Sequence, residues 1–231
     1  MLSADEWQAV RLTLLVALAA VAASLPAAIA LGWLLAKREF PGKFLVETAV
    51  HLPLVLPPVV TGYLLLVVFG RQGPIGAWLE SWFGLRFVFD WKGAALASAV
   101  VGFPLLVRPI RQAFAAVDDR LVQAARTLGA GPLDAFGTIL LPLARPGIVS
   151  GCVLAFARSM GEFGATIMIA GNIPGFTRTI PLMIYTLLDS PAGTARAQGL
   201  VIISVVIAAL ALLAGELLER YGRAKLRGAI G

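Results

Sequence analysis

Two short stretches of this chain hold residues that could do chemistry, and both stand out against an apolar background. The first is Arg158-Ser159-Met160-Gly161-Glu162-Phe163-Gly164, set inside an apolar run from 139 to 170. Ionisable side chains inside such a run are functional candidates by default, because charge is costly in hydrocarbon. Arg158 and Glu162 stand four apart, so on a helix they share a face and can pair. Pairing alone accounts for both, by reducing the desolvation cost of each. The functional alternative is a pathway or gate for an anion. Arg158 would attract it, Ser159 offers a hydroxyl, and Gly161 and Gly164 permit close approach or hinging. Glu162 would repel an anion unless neutralised, which assigns it to structural pairing.

The second stretch is the longest polar interruption in the chain, DDRLVQAARTLGAGPLDAFGTILLP over 118–142. Asp118 and Asp119 suit a helix N-cap, since a short carboxylate accepts the orphan amides of a first turn. Leu121, Ala124, Ala125 and Leu128 recur at helical spacing and form one apolar face. Gly129 follows where a left-handed C-cap is wanted, and Pro132 can open a second short helix. The pattern predicts an amphipathic helix, a tight turn and a lead-in to the next apolar span. Such a helix either lies at a membrane interface or serves as a knob that a partner grips.

Other chemistry is thinly represented. His51 has no second His or Cys at ligand spacing, so it reads as a hydrogen-bonded structural histidine rather than a metal ligand. The single Cys152 cannot form an internal disulfide and reads as a small buried hydrophobe. No G-x-x-x-x-G-K-[ST] is present, so this chain is not expected to hydrolyse ATP alone. No His-Glu-x-x-His, paired Asp or Ser/His constellation supports a membrane enzyme. No catalytic residue, metal or cofactor is expected on this chain.

These candidates must be positioned by apolar helices. With 59% apolar and 14% charged residues the chain is not an ordinary soluble domain. Several runs approach or exceed the roughly 20 residues that cross a bilayer as helix. The expected fold is all-α and polytopic, with about five transmembrane helices in one domain, 1–231. The first span is placed at 10–36, with Pro26 and Gly32 as possible kinks and Trp7 and Trp33 as interface anchors. The second, 47–69, contains Pro53, Pro57 and Pro58 and cannot be regular throughout. Irregular backbone at that depth is tolerated only against protein or a water-filled cavity, which suggests a pathway. A mixed loop with Trp78, Trp82 and Trp91 follows. The third span covers 93–107 and continues to 116, with Pro104 and Pro109 as a second irregular region. The run from 139 to 170 would be about 48 Å as straight helix, too long for one crossing. Pro142, Pro146, Gly161 and Gly164 are places to break it, and the fourth span is placed at 146–165. A helix over 181–188 is too short to cross. The fifth span is 199–218. The N-terminus carries Asp5 and Glu6 in place of a basic region, so a cleavable signal is not expected.

The net charge of +6 does not point to nucleic acid, because the basic residues sit in loops beside apolar spans. Lys37, Arg38, Lys43, Arg108, Arg111, Arg120, Arg126, Arg145 and the tail's Arg220, Arg223, Lys225 and Arg227 fall on one side of a five-span topology. Arg11, Arg71, Arg86, Lys92, Arg178 and Arg196 fall on the other. The positive-inside rule places the N-terminus outside and the C-terminus in the cytoplasm, on the side of the 118–142 loop.

Gln123-Ala124-Ala125, Gly129 and Ile139-x-Leu141-Pro142 resemble the EAA loop of bacterial ABC importer permeases, E-A-A-x3-G-x9-I-x-L-P, with matching spacing. Gln123 departs from the pattern's Glu and removes any ion pair the family makes there. In that family the loop inserts into a groove of the ATP-hydrolysing subunit. The resemblance therefore implies that Gln123, Ala124, Ala125, Arg126, Leu128 and Gly129 couple to an ATPase. The stretches 156–166, 51–60, 125–130 and 172–181 further resemble the molybdate and sulfate importer permeases, over nearly the whole chain. This implies the type I ABC importer permease fold in a bacterial inner membrane and a tetrahedral oxyanion substrate. A chain this short with five spans favours molybdate, with tungstate or sulfate and thiosulfate as alternatives. It also implies a homodimer with a second copy, two ABC ATPase subunits that carry ATP and Mg, and a periplasmic molybdate-binding protein. Membrane lipid surrounds the spans. A stand-alone secondary transporter would show paired internal repeats, which the sequence lacks.

Overall fold

The computed structural model describes residues 3–190 and 193–228, with 219 and 221–228 described by backbone only. Arg223, Lys225 and Arg227 of the expected basic tail thus lie outside the described side chains. Among the described residues the chain is helical and has no strand.

Helix α1 (Ala4–Lys37) starts earlier than the apolar run, because Ser3 and Glu6 form a capping box. The Glu6 amide donates to the Ser3 hydroxyl at 3.3 Å, and the Ser3 amide donates to Glu6 Oε2 at 2.7 Å. Pro26 lies inside α1 without ending it. Helices α2 (Lys43–Val55) and α3 (Pro58–Phe69) form the second span, bent by 113° at Leu56-Pro57. Pro53 is accommodated within α2; the break falls at the next two prolines, where Pro57 is the N-cap and Pro58 opens α3. The expected loop after it contains a helix of its own, α4 (Pro74–Phe83).

Helix α5 (Trp91–Ala116) opens at Asp90, whose side chain accepts from the Lys92 amide at 2.9 Å. It corrects one expectation: Pro104 and Pro109 do not make an irregular region but sit inside a continuous helix. A proline leaves one carbonyl free four residues earlier, and a helix this enclosed by neighbours keeps its course. Helices α6 (Asp119–Thr127) and α7 (Pro132–Ala135) follow, and a π turn at Phe136–Leu140 leads into α8 (Leu141–Met160). Pro142 and Pro146 do not break α8. It ends at Gly161, and the short α9 (Gly164–Ala170) completes the fourth span to a later end than the sequence suggested. Helix α10 (Ile180–Leu188) and the long α11 (Gly193–Gly228) complete the chain.

Contacts sort the loops onto two ends. At one end the Lys37 ammonium donates to the Val117 carbonyl at 2.7 Å and to Asp119 Oδ1 at 2.6 Å. This joins the end of α1 to the 118–142 loop. At the other end the Phe89 amide donates to the Ile169 carbonyl at 3.1 Å, and Arg196 Nε donates to Glu6 Oε1 at 2.7 Å. Here too Gln8 reaches the Gly175 carbonyl at 3.0 Å. The bent pair begins near α1's last residue and ends beside Phe87, whose ring meets Phe69 at 5.6 Å. It therefore enters at one end and leaves at the other, and with α1, α5, α8–α9 and α11 makes five crossings.

Helix α5 is the central column. Small residues let its neighbours approach to backbone distance. A Cβ on Gly32 of α1 would lie 2.7 Å from the Ile110 side chain. On α8, a Cβ on Gly147 would lie 2.6 Å from the Pro109 carbonyl oxygen, and one on Gly151 would lie 2.7 Å from that of Leu106. As residue numbers rise on α8 they fall on α5, so the two run antiparallel. Buried apolar residues gather in distinct clusters. One, toward the 118–142 end, includes Ala28, Leu35, Val50, Leu106, Ile110, Phe114 and Ala155. A second, toward the opposite end, includes Val16, Leu65, Ala97, Val101, Ala165 and Ile169.

Candidate functional site

The two broken spans meet at their breaks. A Cβ on Gly164, the first residue of α9, would lie 2.9 Å from Pro58 Cβ, the first residue of α3. One turn on, a Cβ on Gly62 would lie 2.7 Å from Ala165 Cα. Only glycine at these positions lets α3 and α9 pack backbone against backbone. The sequence marked both breaks by their proline and glycine content, but not that they would be neighbours.

Arg158, Ser159, Gly161, Glu162 and Gly164 all cluster at this junction. Arg158 is in the last turn of α8, and its Nη2 lies 2.8 Å from Glu162 Oε2. The expected pair is present, with one change. Glu162 is not on the same helix face, because α8 has ended at Gly161. The chain turns there and brings the carboxylate back under Arg158. The turn gives Glu162 a second task that the sequence did not reveal: its Oε1 accepts from the Ala165 amide at 2.8 Å. It thus satisfies an orphan donor in the first turn of α9. The side chain of Glu162 is 1% exposed and that of Arg158 is 28% exposed. The acid is sealed inside and the guanidinium reaches outward. Ser159 is buried, and its Oγ lies near Gly102 of α5.

Three buried hydroxyls on the surrounding helices, Thr61, Ser98 and Thr166, make no hydrogen bond among the described residues. Elsewhere in the chain Thr13, Thr48 and Thr186 bond back to the carbonyl four residues earlier. Local backbone bonding is a common fate of a helical hydroxyl, and these three, though buried, do not take it. Sequence reasoning missed these residues because a hydroxyl in an apolar run carries no signal of its rotamer.

The second group lies at the other end of α8, about 26 Å from Arg158 along the helix axis. Asp118 caps α6 by accepting from the Arg120 amide at 2.9 Å. Helix α6 closes in a Schellman turn: the Ala130 amide reaches the Ala125 carbonyl at 3.0 Å, and the Gly129 amide reaches that of Arg126 at 3.1 Å. Gly129 has φ +97°, in the region that favours glycine. The base of this loop is fixed. Phe136 packs edge-on to Trp33 and beside Phe114, each at 6.0 Å.

The helix itself is not covered, and its apolar face is divided. Val122 and Ala125 are partly buried and turn toward the body. Gln123, Ala124 and Arg126 are exposed, as is Leu121. Leu128 is 88% exposed and Leu133 is 87% exposed. Of the one apolar face that the spacing predicted, Leu121, Ala124 and Leu128 are exposed and Ala125 is partly buried. Elsewhere His51 is half-buried, its Nδ1 2.7 Å from the Glu47 carbonyl. Cys152 is free and half-buried against the cluster near the 118–142 end.

A five-crossing helical bundle with two interrupted spans and a short helix displayed at one end is the architecture of an ABC importer permease. The chain superposes on a subunit of a bacterial alginate ABC transporter, solved in complex with an alginate pentasaccharide-bound periplasmic protein. The TM-score is 0.73 over 95% of this chain and 80% of that one, at 20% identity, a likeness of fold. A family model described as the binding-protein-dependent transport system inner membrane component matches residues 28–224, and the chain belongs to that family. It is similar to the molybdenum transport system permease protein ModB of Escherichia coli strain K12, at 57% identity over 96% of this chain and 97% of that one. The protein of the same name from Haemophilus influenzae is 50% identical over 96% of each.

Proposed function

We propose that this chain is the membrane-spanning subunit of an ATP-driven importer that carries molybdate, and its near-isostere tungstate, into the cytoplasm. The observation that carries the reading is the 57% identity, over almost the full length of both chains, to a molybdenum transport permease. The exposed face of α6 supports the coupling part of it. Leu121, Ala124 and Leu128 are apolar and uncovered on a helix whose base is pinned to α1 and α5. That is the form of a lever awaiting a socket. In this reading Gln123, Ala124, Ala125, Arg126, Leu128 and Gly129 dock into an ABC ATPase subunit, which holds ATP and Mg. A second copy of the chain completes the pathway. A periplasmic molybdate-binding protein delivers the anion to the end that bears α4 and α10. The N-terminus lies outside and the C-terminus inside. Arg158 and Ser159 flank the pathway at the paired breaks, Gly161 and Gly164 permit the turn, and Glu162 anchors Arg158.

The test is uptake into proteoliposomes that contain the permease and its ATPase, with the binding protein and labelled molybdate supplied. Accumulation should require ATP, the ATPase and the binding protein, and tungstate should compete while sulfate does not. Equal competition by sulfate would replace molybdate with a broader oxyanion cargo. Uptake without the ATPase would make the chain a stand-alone transporter.

A further inference from the structure

A pocket of about 320 Å³ opens between α1, α2 and α5, toward the 118–142 end and away from the paired breaks. Leu35 and Val107 form apolar wall, while His51, Arg108, Arg111 and Gln112 supply polar groups. The charges do not cancel. Arg111 Nη2 lies 2.9 Å from Glu47 Oε1, so one guanidinium is matched by one carboxylate. The His51 Nδ1 partner is a carbonyl oxygen, which only accepts; Nδ1 therefore carries the proton, and Nε2 is the open ring nitrogen. Arg108 makes no hydrogen bond or ion pair among the described residues. A helix dipole favours cations only within the last turn. Arg108 stands two turns before the end of α5, beyond the reach of the dipole; it is exposed at the pocket mouth and belongs to the basic residues gathered at this end.

We propose that this pocket binds a tetrahedral oxyanion, with Arg108 as its principal ligand and Gln112 as a second donor one turn away on the same face. A guanidinium presents paired N–H groups that match two oxygens of such an anion. Arg111, held by Glu47, presents its remaining N–H groups from a fixed position. Arg108 and Gln112 are exposed, so they meet the anion at the mouth of the pocket, with the buried Leu35 and Val107 behind them. Two sources offer this chemistry: the phosphodiester of an anionic phospholipid, or a free oxyanion in solution. The site stands whichever cargo the transporter carries.

The experiment uses the full permease–ATPase assembly in two arms. In the first, native mass spectrometry compares retention of phosphatidylglycerol with that of phosphatidylcholine. In the second, calorimetry in phosphatidylcholine nanodiscs measures binding of inorganic phosphate and of tungstate. Arg108→Gln and Gln112→Leu are compared with Arg145→Gln, which removes an exposed cation outside the pocket. Arg108→Gln should weaken binding about tenfold, the loss of one charge-assisted hydrogen-bond pair. Arg108→Lys should recover only part of it, and Arg145→Gln should leave it unchanged. Loss confined to the first arm identifies a lipid headgroup, and loss in the second a free anion. Either supports the site. Equal loss on Arg145→Gln would reveal only general surface charge and overturn it, as would two arms indifferent to Arg108.

Discussion

Glu162 uses its two oxygens for two different contacts, an ion pair and a hydrogen bond, and substitution can separate them. Oε2 holds Arg158 and Oε1 caps α9. Glu162→Gln keeps a carbonyl oxygen for the Ala165 amide but removes the charge, so Arg158 is left unmatched at the junction. Breaking one side of a buried pair costs about 3–5 kcal/mol, and the partial exposure of Arg158 places this case at or below the lower bound. Thermal unfolding in detergent should show Glu162→Gln less stable than the double change with Arg158→Gln. Strict additivity of the single effects would show that the two do not act as a pair. Glu162→Ala, which also loses the cap, should be less stable than Glu162→Gln. The pairing was legible because four-residue spacing in an apolar run admits few readings. The cap was not legible, because it exists only once α8 stops at Gly161. Neither was the Lys37–Asp119 pair, whose members lie 82 residues apart in sequence.

Among elements, α6 and the α5–α8 contact respond to substitution in opposite ways. A Cβ added at Gly129 meets nothing within 4 Å, so the constraint there is conformational. At φ +97° a side chain costs about 1–2 kcal/mol locally. Gly129→Asp should leave the spans inserted but weaken co-purification of the ATPase and lower ATP-dependent uptake. Full association together with full uptake would remove α6 from the coupling role. At Gly147 and Gly151 the obstacle is a neighbouring helix. Gly151→Val should separate α8 from α5 and reduce the yield of monodisperse protein in size-exclusion chromatography. Gly137→Ala, in open space, should not. The end of α6 was readable from Asp118 and Gly129 because caps are local. Its divided apolar face was not, because which side meets the body depends on how Phe136 and the π turn seat the loop. Pro104 and Pro109 misled for a related reason. A proline's local cost is fixed, while the enclosure that tolerates it belongs to the fold.

At the scale of the molecule, the alternation of loops between two ends gives a direct test of orientation. In a Cys152→Ser background, Ser81→Cys on α4 should react with a membrane-impermeant thiol reagent in intact cells. Thr127→Cys on α6 should react only after permeabilisation. The reverse pattern would invert every loop.

The division of the buried residues into two main clusters has a mechanical consequence. Helices α2 and α8 belong to the lower cluster, α3 and α9 to the upper, and both spans are severed where the clusters meet. Helices α1 and α5 run unbroken through both, and α11 passes the break at Gly161 as one continuous helix without a proline. In α1 and α5 a proline has deleted one rung of the helical ladder close to that level: Pro26 leaves the Ala22 carbonyl free, and Pro104 leaves that of Val100 free. Flexural stiffness is therefore lowered in one transverse plane on the side of these helices, with α11 as the unbroken strut. A push on the lower storey tilts the upper one as a unit, with α3 and α9 locked together, and the bundle bends like a knee.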